Sequence, residues 1–300
     1  MALPGDLSGG ATPDCKLSIG PQGALYGSAE GGGTYSGGVV FRLSPPTAQG
    51  GTWTERVLYN FDPAVGDGTE PRGPLASGSD GSIYGVTKLG PSVSMFGAVF
   101  QLVPPSTPGG AWSETVLYSF SGSPPYSGFP NGVIMGPGGV LYGTAAGVSS
   151  FGGDYASGTV FQLSPPSEPG GAWTETILHS FTGGPGGSHN SDGSVPDSPP
   201  ILGPNGELYG TTYSGGVHGW GTVYKLVPPS SPGGEWTEVT LYSFTDGTDG
   251  GEPNSLAFGP DGNLYGTTEF GGVSAGGITN QGTIFQLVLA QNSGGTQAVQ

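Results

Sequence analysis

One pattern constrains this chain more than any other: it repeats itself five times. The phrase Leu/Ile-Tyr-Gly recurs at Tyr26, Tyr84, Tyr142, Tyr209 and Tyr265, a period of roughly 57 residues, that of a propeller blade with long loops. Each copy is followed by Val/Ile-Phe/Tyr-x-Leu, centred on Phe41, Phe100, Phe161, Tyr224 and Phe285. Trp-Thr/Ser-Glu and an alternating apolar run come next, starting at Trp53, Trp112, Trp173 and Trp236 and ending at Phe61, Phe120, Phe181 and Phe244. A short apolar element precedes every Tyr motif, at 17–19, 75–76, 133–135, 201–202 and 256–258. Each unit therefore holds four candidate strands a, b, c and d, for example 256–259, 263–268, 282–288 and 236–244.

The links support this division. Gly-Pro-Asp-Gly-Asn at 259–263 and its counterparts join a to b, and their Asp-Gly and Asn-Gly pairs supply the positive φ that a tight hairpin needs. Pro-Pro-Ser-x-Pro-Gly-Gly at 104–110, 165–171 and 228–234 joins c to d, and its prolines keep that exposed turn from pairing with another sheet. With 63 Gly and 29 Pro the chain would read as disordered if these residues did not recur in register with aromatic and β-branched ones. No long segment shows a 3.6-residue apolar period. The expected fold is all-β: a five-bladed β-propeller with four antiparallel strands per blade.

The domain reading is one propeller over 15–300, with units at about 15–74, 75–132, 133–199, 200–255 and 256–300. Strand d is clear in four units only. Residues 296–300 are one candidate for the missing strand, and the N-terminal segment 1–14 is the other, slightly favoured.

Six Lys+Arg against 22 Asp+Glu give a net charge of −16. That excludes the basic footprint a nucleic-acid partner requires and disfavours anionic membrane surfaces. No stretch has the length of a transmembrane helix. The single cysteine, Cys15, has no internal disulfide partner. Residues 1–14 lack the basic and apolar regions of a secretory signal. The compartment is expected to be cytoplasmic if residue 1 is the native start, and extracellular if a leader was removed.

Several phrases carry a family resemblance. Asp261-Gly262-Asn263-Leu264-Tyr265-Gly266-Thr267-Thr268, Gly221-Thr222-Val223-Tyr224-Lys225-Leu226 and Trp112-Ser113-Glu114-Thr115-Val116-Leu117-Tyr118-Ser119-Phe120 resemble the GloVer tandem repeat, over about 15–290. The family is known for bacterial proteins with varied C-terminal anchors. The resemblance implies a repeat protein, commonly exported, with no established activity and no catalytic residues to carry over. This sequence shows neither a leader nor a C-terminal sorting segment, which leaves export open.

Antiparallel strands send alternate connections to opposite faces, so the b–c loops and d–a links share one face. Those connections differ between copies, whereas the a–b and c–d turns hardly vary, and function tends to sit on variable loops of a rigid scaffold. The candidate ligand-binding residues therefore come from this face, near the expected central funnel. Tyr35, Phe96, Phe151, Tyr155, Tyr213, Trp220 and Phe270 are aromatics outside the core repeat, suited to stacking on a sugar or flat ligand, or else to packing loops together. The position four after each motif Tyr varies (Glu30, Lys88, Ala146, Tyr213, Glu269) and marks a rim, functional or simply solvated.

The 182–199 link carries His189, Asp192 and Asp197, and the next b–c loop carries His218. Together they form a loose set for metal or acid–base chemistry, with no established ligand spacing. His179, on an outer strand, reads as structural. Asp67, Glu70, Asp246, Asp249 and Glu252 read either as hard ligands for Ca²⁺ or as turn chemistry, and the latter is the simpler reading.

No metal or cofactor is expected. The leading function is a monomeric ligand-binding propeller presenting aromatic and acidic loops to a small molecule or glycan. The alternatives are a cofactor-free enzyme (lyase, hydrolase or natural-product cyclase) and a structural or surface repeat protein.

Overall fold

In the computed structural model the described residues are 10–13, 15–91, 96–122, 128–147, 157–168, 170–182, 192–231, 233–272 and 280–289. They form 19 strands in chain order. The first sheet holds β1 (Ser18–Ile19), β2 (Leu25–Ala29), β3 (Val39–Ser44) and β4 (Thr54–Asn60). The second holds β5 (Thr69–Ser77), β6 (Ile83–Leu89), β7 (Ala98–Val103) and β8 (Ser113–Ser119). The third holds β9 (Pro130–Met135), β10 (Leu141–Ala145), β11 (Thr159–Ser164) and β12 (Thr174–Ser180). The fourth holds β13 (Ile201–Leu202), β14 (Leu208–Thr212), β15 (Thr222–Val227) and β16 (Thr237–Ser243). The fifth holds β17 (Gly251–Phe258), β18 (Leu264–Phe270) and β19 (Ile284–Leu287).

Each sheet is a meander in which every strand neighbours the next in sequence. The fold is the five-bladed, all-β propeller expected from the repeat. Four blades are four-stranded, and the fifth shows three strands among the described residues. The segments that would supply its fourth strand, 1–9 and 290–300, lie outside those residues. Residues 10–13 meet the first blade through an Ala11–Gly31 bridge and a Glu30 N–H bond to Thr12 O of 3.2 Å. Strand a differs most from expectation. It is two residues long in β1 and β13, but in β5 and β17 it runs back through Pro71 and Pro253 across a register shift.

The chain divides into two compact units: the first is 1–143 with 162–176, and the second is 144–161 with 177–300. The repeat motifs explain packing within each. The Gly of Leu/Ile-Tyr-Gly lies where the ring of the strand-c Phe passes: a Cβ on Gly85 would sit 2.5 Å from Phe100, and one on Gly266 2.4 Å from Phe285. The glycine makes room for the ring, so the two motifs interlock.

Outer strand d carries a β-bulge opposite Val40/Phe41, Val99/Phe100 and Val223/Tyr224, which leaves Leu58, Leu117 and Leu241 unpaired. Residues three apart on a regular strand face opposite sides. The bulge resets that alternation, so Leu58 and Phe61 both turn inward.

Phe61 then meets Phe100 of the next blade edge-on, with ring centroids 5.0 Å apart; Phe244 meets Phe285 in the same way, also at 5.0 Å. The cores therefore lie between successive sheets. One gathers Val40, Leu58, Phe61, Leu75, Ile83, Phe100 and Leu102; another gathers Val223, Phe244, Leu256, Leu264, Phe285 and Leu287. Burying each of these rings contributes about 2–3 kcal/mol.

Candidate functional site

The variable face is built on a constant backbone corner. Before strand c stands a glycine at strongly positive φ: Gly38 (94°), Gly97 (89°), Gly158 (91°) and Gly221 (89°). Its carbonyl accepts the N–H of the strand-d Phe, at 3.0 Å for each of Phe61, Phe120, Phe181 and Phe244. Against the glycine lies a proline that opens the next blade. Pro71, Pro130, Pro196 and Pro253 place Cδ between 2.4 and 2.6 Å from where a Cβ on Gly38, Gly97, Gly158 and Gly221 would be. No other residue fits.

The residue before each proline, Glu70, Phe129, Val195 or Glu252, has φ between 55° and 59°. Its N–H donates to the residue before the glycine: Gly37 O, Phe96 O, Ser157 O and Trp220 O, at 2.7–3.0 Å. Left-handed backbone at a Val and a Phe is strained, and the surrounding bonds must hold it there. Each corner therefore fixes its backbone and presents variable side chains.

In the first unit the side chains satisfy one another. Lys88 Nζ donates to Glu70 Oε2 at 2.8 Å, both half-exposed. Phe96 meets Phe129 edge-on at 5.9 Å and packs against Gly122 and Gly128. Tyr35 stands 52% exposed, and Glu30 is half-buried with its N–H bonded to Thr12 O.

In the second unit the corresponding corner has no lysine or arginine among the described residues. The Tyr213 hydroxyl donates to Glu252, which pushes the phenol acidity well down, and Glu269 and Asp197 add to that push. Burial raises the Glu252 carboxyl above the ordinary glutamate value; the Tyr213 bond opposes this, and Glu269 and Asp246 reinforce it. Glu252 Oε2 and Asp246 Oδ1 are buried without a hydrogen-bond partner.

Trp220 lies over Gly251: a Cβ there would sit 3.2 Å from the indole, which keeps 36% of its surface exposed. Phe270 is the cross-strand partner of Gly251. Of the candidate residues, Tyr213, Trp220, Glu269 and Phe270 thus gather around Glu252. His218 stands apart, exposed in the turn closed by the Gly219 N–H bond to Gly216 O. Phe151, Tyr155 and His189 lie outside the described residues.

Three further acidic residues act as latches. Asp67 accepts Tyr59 OH (2.7 Å) and the Asp62 N–H (3.1 Å). Asp249 accepts Tyr242 OH and the Thr245 N–H, both at 3.0 Å. Asp192 accepts the Thr182 N–H (3.0 Å) and hydroxyl (2.8 Å), while His179 Nε2 approaches Oδ2 to 3.4 Å, outside hydrogen-bond angles. Burial works to raise the Asp192 carboxyl, but His179 and Thr182 outweigh it and the net shift is downward. Asp192 is thus engaged with the outer-strand His179. Among the described residues no group of three or more His, Cys, Asp or Glu could hold a metal.

Neither the repeat motifs nor the stray aromatics mark the corner itself. Its signal is Asp-Gly followed three residues later by Pro, at 67–71, 192–196 and 249–253.

A search of curated protein sequences finds no match. Solved structures with a similar fold include an ulvan lyase of a new polysaccharide-lyase family, bound to a glucuronate–rhamnose-sulfate unit (12% identity, 96% of this chain and 72% of that one, TM-score 0.52). Two glucose dehydrogenases are also similar. One has 16% identity over 91% of this chain and 82% of that one, with a TM-score of 0.51. The other has 17% identity over 91% and 80%, with a TM-score of 0.50. At such identities the likeness concerns the fold alone. Sequence decides the family: residues 4–146 and 129–298 match the Gloeobacter/Verrucomicrobia repeat, and the chain belongs to that family.

Proposed function

We propose that this protein is a binding propeller whose Trp220 corner takes a hydroxyl-rich small molecule or glycan. The observation that carries the reading is the half-exposed indole laid over Gly251, beside a Tyr213–Glu252 pair with an unsatisfied carboxylate oxygen. An aromatic plate offers the apolar face of a sugar a stacking surface, and the surrounding carboxylates accept bonds from its hydroxyls. That similar propellers include an ulvan lyase and two glucose dehydrogenases makes carbohydrate the first ligand class to test.

The test is a glycan array followed by calorimetry on the full chain. A ligand should emerge, and Trp220→Ala should weaken it at least about tenfold, or roughly 1.4 kcal/mol. A blank array and small-molecule panel would sink the reading, as would an unchanged affinity in Trp220→Ala.

One observation favours a cofactor-free enzyme as the second reading. Glu252, held above the ordinary carboxylate range beside Tyr213, has the character of a general acid. Turnover of a bound ligand that Glu252→Gln abolishes without loss of binding would favour it.

A further inference from the structure

Each of the four described outer strands carries a glutamate two residues after its Trp (Glu55, Glu114, Glu175 and Glu238), and in each the carboxyl is pushed up, chiefly by burial. On the next outer strand this Glu faces the Tyr or His of the preceding copy. Where both lie within one unit, three solutions to one proton-counting problem appear.

A tyrosine hydroxyl has one proton to donate. Tyr118 gives it to Glu175 Oε2 at 2.6 Å, and residues 121–128 of that copy contain no Asp to compete. Tyr59 gives it to Asp67 at 2.7 Å, so Glu114 receives none, and Glu114 Oε1 is buried without a partner. His179 stands near both Asp192 and Glu238: Asp192 is lowered on balance, whereas at Glu238 burial prevails over the opposing pull of Thr240 and His179.

We propose that Glu114 is held as the neutral acid between the first two blades, and that its ionisation loosens their contact as the surroundings turn alkaline. A buried carboxylate without a donor is costly, and protonation removes that cost. The titratable groups around it are Tyr59 on β4, Asp67 in the link after β4, and Asp62, which acts on Tyr59. None is a cation. Its register partner on β7 is Leu102. Burial first and the Asp67 charge second push Glu114 up to about 8 from the ordinary 4.5. A raised folded-state value means that this stabilisation is complete below pH 4.5 and is lost as pH rises through about 8.

Infrared spectra and melting curves of the full chain test this directly. At pH near 7 the wild type should show a protonated-carboxyl band that Glu114→Gln lacks. The wild-type Tm should fall between about pH 5 and 9, and Glu114→Gln should fall less and end higher. Identical bands at neutral pH, or an equally steep fall in Glu114→Gln, would overturn the proposal. Asp67→Asn keeps an acceptor for Tyr59 and removes the neighbouring charge, so the band should vanish at a lower pH. An unmoved band in that variant would overturn it independently, even if Glu114→Gln failed to fold.

Discussion

The Lys88–Glu70 corner of the first unit and the Tyr213–Glu252 corner of the second share one backbone. Both place a left-handed residue before a proline (φ 58° and 55°) and use a glycine under that proline. Their side chains differ in charge. Five of the six Lys+Arg (Lys16, Arg42, Arg56, Arg72, Lys88) fall in the first unit against 11 Asp+Glu, a net of 5 − 11 = −6. The second unit holds Lys225 alone against the other 11, a net of 1 − 11 = −10, which with the first unit makes the −16 of the whole chain. One corner is neutralised internally; the other keeps carboxylate oxygens unsatisfied beside an exposed indole. The repeat thus separates two tasks: the frame is held constant for folding, and chemical identity is left to the side chains around it.

If the frame is what the corners share, breaking it should matter most, and equally in both units. Gly221→Ala and Gly97→Ala each force a Cβ into the ring of Pro253 or Pro130, at φ 89°. Strain and overpacking together should cost about 3 kcal/mol. Urea denaturation would show it as a lowered midpoint. A near-neutral result in one unit alone would mean that the corners differ in backbone as well as in side chains.

The two units also differ in the core. Phe100 in the first unit corresponds to Tyr224 in the second, which is fully buried with an unpartnered hydroxyl and an acidity pushed well down by burial and by Glu238. Tyr224→Phe should stabilise the fold by about 1 kcal/mol, because an orphaned buried hydroxyl is removed. The same melts would read it, and a loss of stability would show that the hydroxyl has a partner the packing conceals.

Much of this was legible in the sequence. The motif order sets the meanders, and the variable loops mark the face. Tyr213 and Trp220 are visible as aromatics outside the repeat. The corner was hidden for a physical reason: the residue before a proline is normally extended, and the left-handed turn at Glu70 or Val195 accompanies a hydrogen bond and a proline–glycine contact to a distant part of the chain. Gly97 and Gly221 cannot be told from the other 61 glycines without that contact. The Tyr213–Glu252 pair joins residues 39 positions apart in consecutive blades, a distance that no local pattern spans. His179 looked structural for its place on an outer strand, and its approach to Asp192 depends on how the 192–198 link folds back.

The smallest effect separates the two corners most directly. Lys88 and Glu70 have side chains 41% and 34% exposed, so their 2.8 Å ion pair is screened by solvent. Lys88→Met should cost under about 0.5 kcal/mol and less still in high salt. Tyr213→Phe takes from Glu252 its hydroxyl donor while Oε2 is already unsatisfied, and should cost about 1 kcal/mol near neutral pH. Burial and the neighbouring carboxylates would then raise Glu252 further, so the deficit should shrink as pH falls and Glu252 takes up a proton. Parallel denaturation series at two pH values would resolve the pair. Equal costs with equal pH dependence would mean that charge does not distinguish the corners, and the unsatisfied carboxylates of the second unit would lose their claim to a ligand.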